Sequence, residues 1–131
     1  MIEQLLSKSR QALSTAARDI DNGDMDAAAN RCYYAVHFAA WAMFISQGLE
    51  KPKTHSGLIA EFGKRFVKNG PLERHLGVTL GKLESLRSYA DYTLEPTPRE
   101  KAERALEAAK TFLEAIEAKV RLASPPLADP Q

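Results

Sequence analysis

Cysteine is almost missing from this chain: Cys32 is the single one among 131 residues. One thiol excludes an intramolecular disulfide and any cysteine-rich metal site, and it suits a reducing cytoplasm. Its position inside an apolar run makes it a small buried hydrophobe. There is no Walker phosphate loop, no zinc-protease helix and no Gly-x-Ser-x-Gly elbow. The three histidines, His37, His55 and His75, form no spaced metal motif with carboxylates, so neither a metal nor a cofactor is expected. No run is long and uninterrupted enough to span a bilayer, so no membrane partner is expected. The N-terminus carries Glu3, Lys8 and Arg10 within an amphipathic pattern, unlike a signal peptide. Alternating strand patterns and internal repeats are also lacking.

Net charge is small, +1, but unevenly spread. Residues 51–87 hold eight Lys/Arg against three Asp/Glu, while each flanking segment is net acidic. Two readings fit this basic middle: a phosphate-facing surface, or a solvated face balanced by acidic neighbours.

What the chain does have is helical periodicity. Its most apolar stretch, Arg31–Ile45, reads as a central helix buried on most sides. At 100° per residue, Tyr34, Phe38, Trp41 and Ile45 share one stripe, and Cys32, Ala35, Ala39 and Met43 share another. A large-residue face and a small-residue face imply two packing partners. Before it, Ile2 to Ile20 place apolar residues at helical spacing, and Asn22-Gly23 stops that helix. Asp24 is positioned to cap the second helix, giving a tight helical hairpin that ends near Gln47-Gly48. Thr54 or Ser56 caps a third helix whose stripe is Leu58, Ile59, Phe62, Phe66 and Val67. A fourth helix starts near Leu72, and its Gly77 and Gly81 suggest close approach of another backbone. Thr97-Pro98-Arg99-Glu100 has the form of a capping box opening a fifth helix. The reading is an all-α, up-and-down bundle of about five helices over residues 1–122, with a Pro-rich flexible tail over 123–131.

Three stretches together resemble a known family. They are Tyr33-Tyr34-Ala35-Val36-His37-Phe38-Ala39-Ala40, then Thr54-His55-Ser56-Gly57-Leu58 with Phe62-Gly63-Lys64-Arg65-Phe66-Val67-Lys68, and Leu86-Arg87-Ser88-Tyr89-Ala90-Asp91-Tyr92. They are similar to the HEPN family, in its small stand-alone bacterial and archaeal branch. The resemblance implies a helical homodimer that works with a minimal nucleotidyltransferase, often as a toxin–antitoxin pair. It also implies nucleotide or RNA as ligand. Many members are metal-independent endoribonucleases whose signature is an Arg followed, after four to six residues, by a His. In such a pair Arg offsets phosphate charge and His moves protons while the RNA 2′-hydroxyl attacks.

This chain departs from that signature. Arg87 is followed by Ser88, Tyr89, Ala90, Asp91 and Tyr92, with no His in the window. Arg31 and His37 have the literal spacing, but on one helix they point about 120° apart. The candidate catalytic set is therefore Arg87 with His55 or Asp91, His55 supplying the imidazole from another helix. The candidate nucleotide or RNA contacts are Arg87, Tyr34, Tyr92 and Lys64. By analogy with family members whose motif ends in tyrosine, Tyr92, or failing it Tyr89, is the candidate acceptor for adenylylation. Plainer readings stand beside these. Arg87 and Asp91 are spaced for an i,i+4 ion pair. His55 can bond its own loop, and His75 can be simple surface. Tyr33 and Tyr34 can be core aromatics, with Asp91 or Arg87 as hydroxyl partner. Three functions follow: a partner-dependent nucleotide- or RNA-binding dimer, a ribonuclease toxin, or a non-catalytic interaction bundle.

Overall fold

The computed structural model describes residues 1–123, and the Pro-rich tail beyond them lies outside the described residues. Five α-helices follow in order: α1 (Ile2–Asp21), α2 (Met25–Ser46), α3 (His55–Phe62), α4 (Arg74–Tyr92) and α5 (Arg99–Ala123). There is no strand among the described residues, and the fold is an all-α bundle.

The hairpin forms where the residues allow it. Gly23 takes a positive φ of 80°, which an L side chain resists. Asp24 then caps α2 by accepting a hydrogen bond from the Ala27 N–H. Ser9 donates to the Ala35 carbonyl at 2.7 Å across the α1–α2 contact. The small face of α2 permits that approach: Ala28, Cys32, Ala35 and Ala39 are all fully buried. The large face is different. Tyr34, Phe38, Trp41 and Ile45 are only half-buried and pack at the edge of the core.

Three cross-links fix α5. Asp26, at the start of α2, accepts from both the backbone N–H (2.9 Å) and the hydroxyl (2.6 Å) of Thr97. Arg99 donates to the Ile20 carbonyl, and Arg10 pairs with Glu117 at 2.8 Å. These contacts set α5 antiparallel to α1 and parallel to α2. They also revise the capping box. The Thr97 hydroxyl serves Asp26 rather than its own helix, and Glu100 pairs with Arg104 instead of reaching back.

Two further expectations shift. The third helix is split: after α3 the chain widens into a π-helical turn, Gly63–Lys68. This keeps Phe66 inside, edge-on to Phe44 (4.9 Å between ring centroids) and Phe62 (5.4 Å). Helix α4 begins at Arg74, not Leu72, because Leu72 folds inward from the preceding loop, its N–H donating to the Phe66 carbonyl. Gly77 faces the Val67 side chain and the Gly63 backbone, whose Cα would lie 4.0 Å from an added Cβ, and Gly81 faces only Ile59, so both have ordinary room for a Cβ. The tighter backbone approach is at Gly70, where a Cβ would lie 2.5 Å from the Arg65 carbonyl oxygen.

Candidate functional site

The polar residues of α2, the first residue of α3 and the C-terminal half of α4 converge. Tyr33 is at the centre and is completely buried. Its hydroxyl lies 2.5 Å from His55 Nδ1 and 3.3 Å from His37 Nδ1. A phenol has one proton, so it can donate to only one of these rings; the other bonds to it by donating its own N–H. Burial, with the negative charge of Glu84, pushes the Tyr33 hydroxyl well above the usual phenol range, opposed by Arg87. Tyr33 therefore stays protonated and acts as a bridge between two imidazoles. The anticipated partners, Asp91 or Arg87, do not meet this hydroxyl. Arg87 lies instead over the Tyr33 ring, 5.2 Å from its centroid.

His37 is buried, and burial lowers its pKa to about 4, helped by the positive charges of Lys51, His55 and Arg87 and opposed by Glu84. It is a neutral imidazole at physiological pH. Arg31 goes elsewhere: its guanidinium bonds Asn30 and sits 5.3 Å from the Tyr34 ring centre. The literal Arg31–His37 motif is thus divided, and only its histidine joins the cluster.

Arg87 is held on both sides. Glu84, one turn back, accepts from its Nε and Nη2 (2.8 Å for the shortest), and Asp91, one turn on, accepts from Nη1 at 3.1 Å. Ser88 completes the Glu84 carboxylate at 3.0 Å. Burial would raise the Glu84 pKa, yet the hydrogen bonds from Arg87 and Ser88 and the charge of Arg87 together bring it below the ordinary carboxylate value. The hydrogen bond to Glu84 in turn raises Arg87. The i,i+4 ion pair with Asp91 therefore exists, and the stronger partner is Glu84.

Next to this cluster the half-buried stripe of α2 carries cations at each step. Tyr34 lies between Arg31 and Arg87, the latter 6.0 Å from its ring centre. Lys8 sits 5.5 Å from the Phe38 ring and Lys51 5.0 Å from the Trp41 ring. Each such contact is worth about 0.5–2 kcal/mol, more when drier.

The remaining candidates separate from this place. Lys64 lies on the π-helical turn and lines a different pocket with Arg65, Met43 and Pro71. Tyr92, the last residue of α4, is 87% exposed and has no place in the cluster. His75 is exposed and pairs with Glu73. Sequence reasoning missed Glu84, and it left His37 outside the site. Both had a signal: Glu84 precedes Arg87 and Ser88 by three and four residues, and His37 follows Tyr33 by four. Among the described residues no group of three or more His, Cys, Asp or Glu is placed to hold a metal ion. No described helix is long and apolar enough to cross a membrane.

Comparison with known proteins adds the family. The model of the HEPN domain matches residues 2–119, all of the bundle but the last turn of α5, and includes every member of the cluster. The chain belongs to the HEPN domain family. Among its HEPN relatives is a Methanocaldococcus jannaschii protein named "Putative toxin MJ0605", 34% identical over 115 residues, covering 88% of this chain and 85% of the relative. A Thermotoga maritima protein named only as a UPF0332 protein is 32% identical over 118 residues, 89% of each chain. A second M. jannaschii protein with the same kind of toxin name is 29% identical over 114 residues, 86% of this chain and 76% of its own.

Proposed function

We propose that this HEPN protein is a toxin-type component that binds RNA or a nucleotide at the Arg87 cluster, as a homodimer working with a nucleotidyltransferase partner. The carrying observation is the aromatic stripe Tyr34–Phe38–Trp41, each ring accompanied by a cation, running up to Arg87 and His55. Aromatic faces stack on bases of any sequence, and interleaved cations meet phosphates; this is the pairing that single-stranded nucleic acid requires. The toxin names of two relatives point the same way. For a phosphate to reach Arg87 it must take the place of Asp91, the more exposed of its two carboxylate partners. Glu84 stays and orients the guanidinium. The direct test is binding of a labelled RNA oligonucleotide. Arg87→Ala should weaken it by about 1–3 kcal/mol, the worth of a charged hydrogen bond, in a variant that still folds but melts lower because Glu84 loses its guanidinium partner. Equal affinity in the folded variant would overturn the reading.

A second reading is favoured by one specific contact, the Tyr33 hydroxyl on His55 Nδ1. It fixes one ring nitrogen and leaves Nε2 for chemistry. In a metal-independent ribonuclease, His55, donating its Nδ1–H to the Tyr33 oxygen, would take the 2′-hydroxyl proton on Nε2 as the 2′-oxygen bonds to phosphorus and the P–O5′ bond breaks, the proton passing on to the leaving 5′-oxygen, while Arg87 offsets charge on the phosphorane-like transition state. Asp91 has a humbler part here, as the ion-pair partner that phosphate displaces. RNA cleavage with EDTA present, lost in both His55→Asn and Arg87→Ala, supports this reading. Intact RNA at high protein concentration leaves binding alone. Tyr92, on the exposed end of α4, is the residue within easiest reach of a modifying nucleotidyltransferase. Lys64 would contact only RNA that extends past the π-helical turn.

A further inference from the structure

The opposite face of α4 builds a second surface with different chemistry. A groove of about 680 Å³ runs between α4 and α5. Val78, Ser85 and Tyr89 on its α4 side lie about 180–200° around the helix from Arg87. The floor is apolar and mostly short: Val78, Leu83, Leu86, Ala105 and Ala108. Val78 is 44% and Tyr89 52% exposed, unusual for large apolar groups on a small bundle. Basic side chains stand on both walls, His75 and Lys82 on α4 and Lys101 and Arg104 on α5, and among the described residues no Asp or Glu lines it. His75 and Arg104 have carboxylate partners outside the groove, whereas Lys82 and Lys101 take part in no ion pair among the described residues.

We propose that the α4–α5 groove docks an acidic amphipathic helix of a partner protein. The charge pattern selects this occupant. An apolar stripe on the incoming helix would lie on the floor, and Asp or Glu on both flanks would meet the two cationic walls. Nucleic acid fits less well, because its phosphates would cross an apolar centre. From His75 to Tyr89 the α4 wall extends about 21 Å, room for a helix of about four turns. The short side chains at Ala105 and Ala108 let that helix come close. The surface is independent of the Arg87 cluster and stands whether or not RNA binds there.

The test uses the full chain and a fluorescein-labelled helical peptide of about fourteen residues, with Leu at i, i+3, i+4 and i+7 and Glu on both flanks. A control peptide carries Lys in place of Glu. The Glu peptide should bind and the Lys peptide should not. The double variant Lys82→Glu/Lys101→Glu should weaken the Glu peptide by roughly tenfold or more and gain affinity for the Lys peptide. Both lysines are exposed, so the fold should survive the change. Val78→Arg, which blocks the floor and leaves the original cations in place, should also abolish binding. Absence of Glu-peptide binding, or equal binding of both peptides, overturns the proposal. So does displacement of the peptide by an RNA oligonucleotide that the double variant no longer binds. Loss of self-association in the double variant, read by sedimentation, would assign the groove to a second copy of this chain and overturn it as well.

Discussion

His37 and Tyr33 show how single groups at the site tie stability to pH and chemistry to packing. The folded His37 has a pKa near 4, below the ordinary 6.5. As pH falls, the unfolded chain takes up this proton first, so the folded state loses relative stability between about pH 6.5 and 4. The full stability is present above that window. Across it the loss amounts to about 3 kcal/mol. Urea unfolding at stepped pH should show this slope in the wild type and a flatter profile in His37→Gln. Glu84 acts in the same direction but at lower pH, since its stabilising charge is lost only as pH falls through its depressed pKa. Tyr33→Phe tests the bridge. It leaves two imidazole nitrogens without the hydroxyl, at a cost of about 1–3 kcal/mol. If His55 moves protons during RNA cleavage, kcat should fall while KM stays, which a merely structural tyrosine would not produce.

At the scale of the element, the chain between α3 and α4 depends on one residue. At Gly70 a Cβ would strike the backbone of Arg65 and Phe66. Gly70→Ala should therefore destabilise by about 1–3 kcal/mol, visible as a lower thermal midpoint, whereas Gly77→Ala should be neutral or slightly stabilising. Before the fold is known, Gly77 is the more suspicious glycine because it interrupts a helix. The same contrast shows what a sequence reveals. Apolar periodicity placed all five helices, and Asp24 and Thr54 were recognisable caps. The π-helical turn was not, because Phe62 and Phe66 are four apart in either geometry. Thr97 misled because Asp26 lies far away in sequence, and a hydroxyl goes to the strongest acceptor in reach. Of the cluster around Tyr33, Arg87 and His55 were singled out by residue type. Tyr33 was legible as a neighbour of the Arg87 segment, and Arg87 does lie over its ring; its hydroxyl contact with His55 was not, because a separation of 22 positions in the chain hides it. Asp26→Ala should cost about 1–3 kcal/mol through loss of both Thr97 bonds. Thr97→Val should reproduce part of that loss.

For the molecule as a whole, the cations beside the aromatic stripe set a salt dependence. If Arg31, Lys51 and Arg87 each meet one phosphate, the logarithm of RNA affinity should fall with the logarithm of salt at a slope of roughly −2. A slope near zero would mean that stacking alone holds the ligand. Arg87→Ala should flatten the slope by about 0.7, while Lys82→Glu should leave it unchanged, because that residue lies on the far side of α4. The protein thus presents two chemically separate faces on one helix.

Cys32 gives the bundle a built-in clock. The thiol is fully buried, and burial with the nearby Asp19 charge pushes its pKa to about 12. A thiol-reactive dye can label it only when α2 separates from its neighbours. With no second cysteine to confuse the signal, the labelling rate of the intact protein counts openings of its central helix. Ligands that bind the folded bundle should slow the clock in proportion to their occupancy, whichever face of α4 they use.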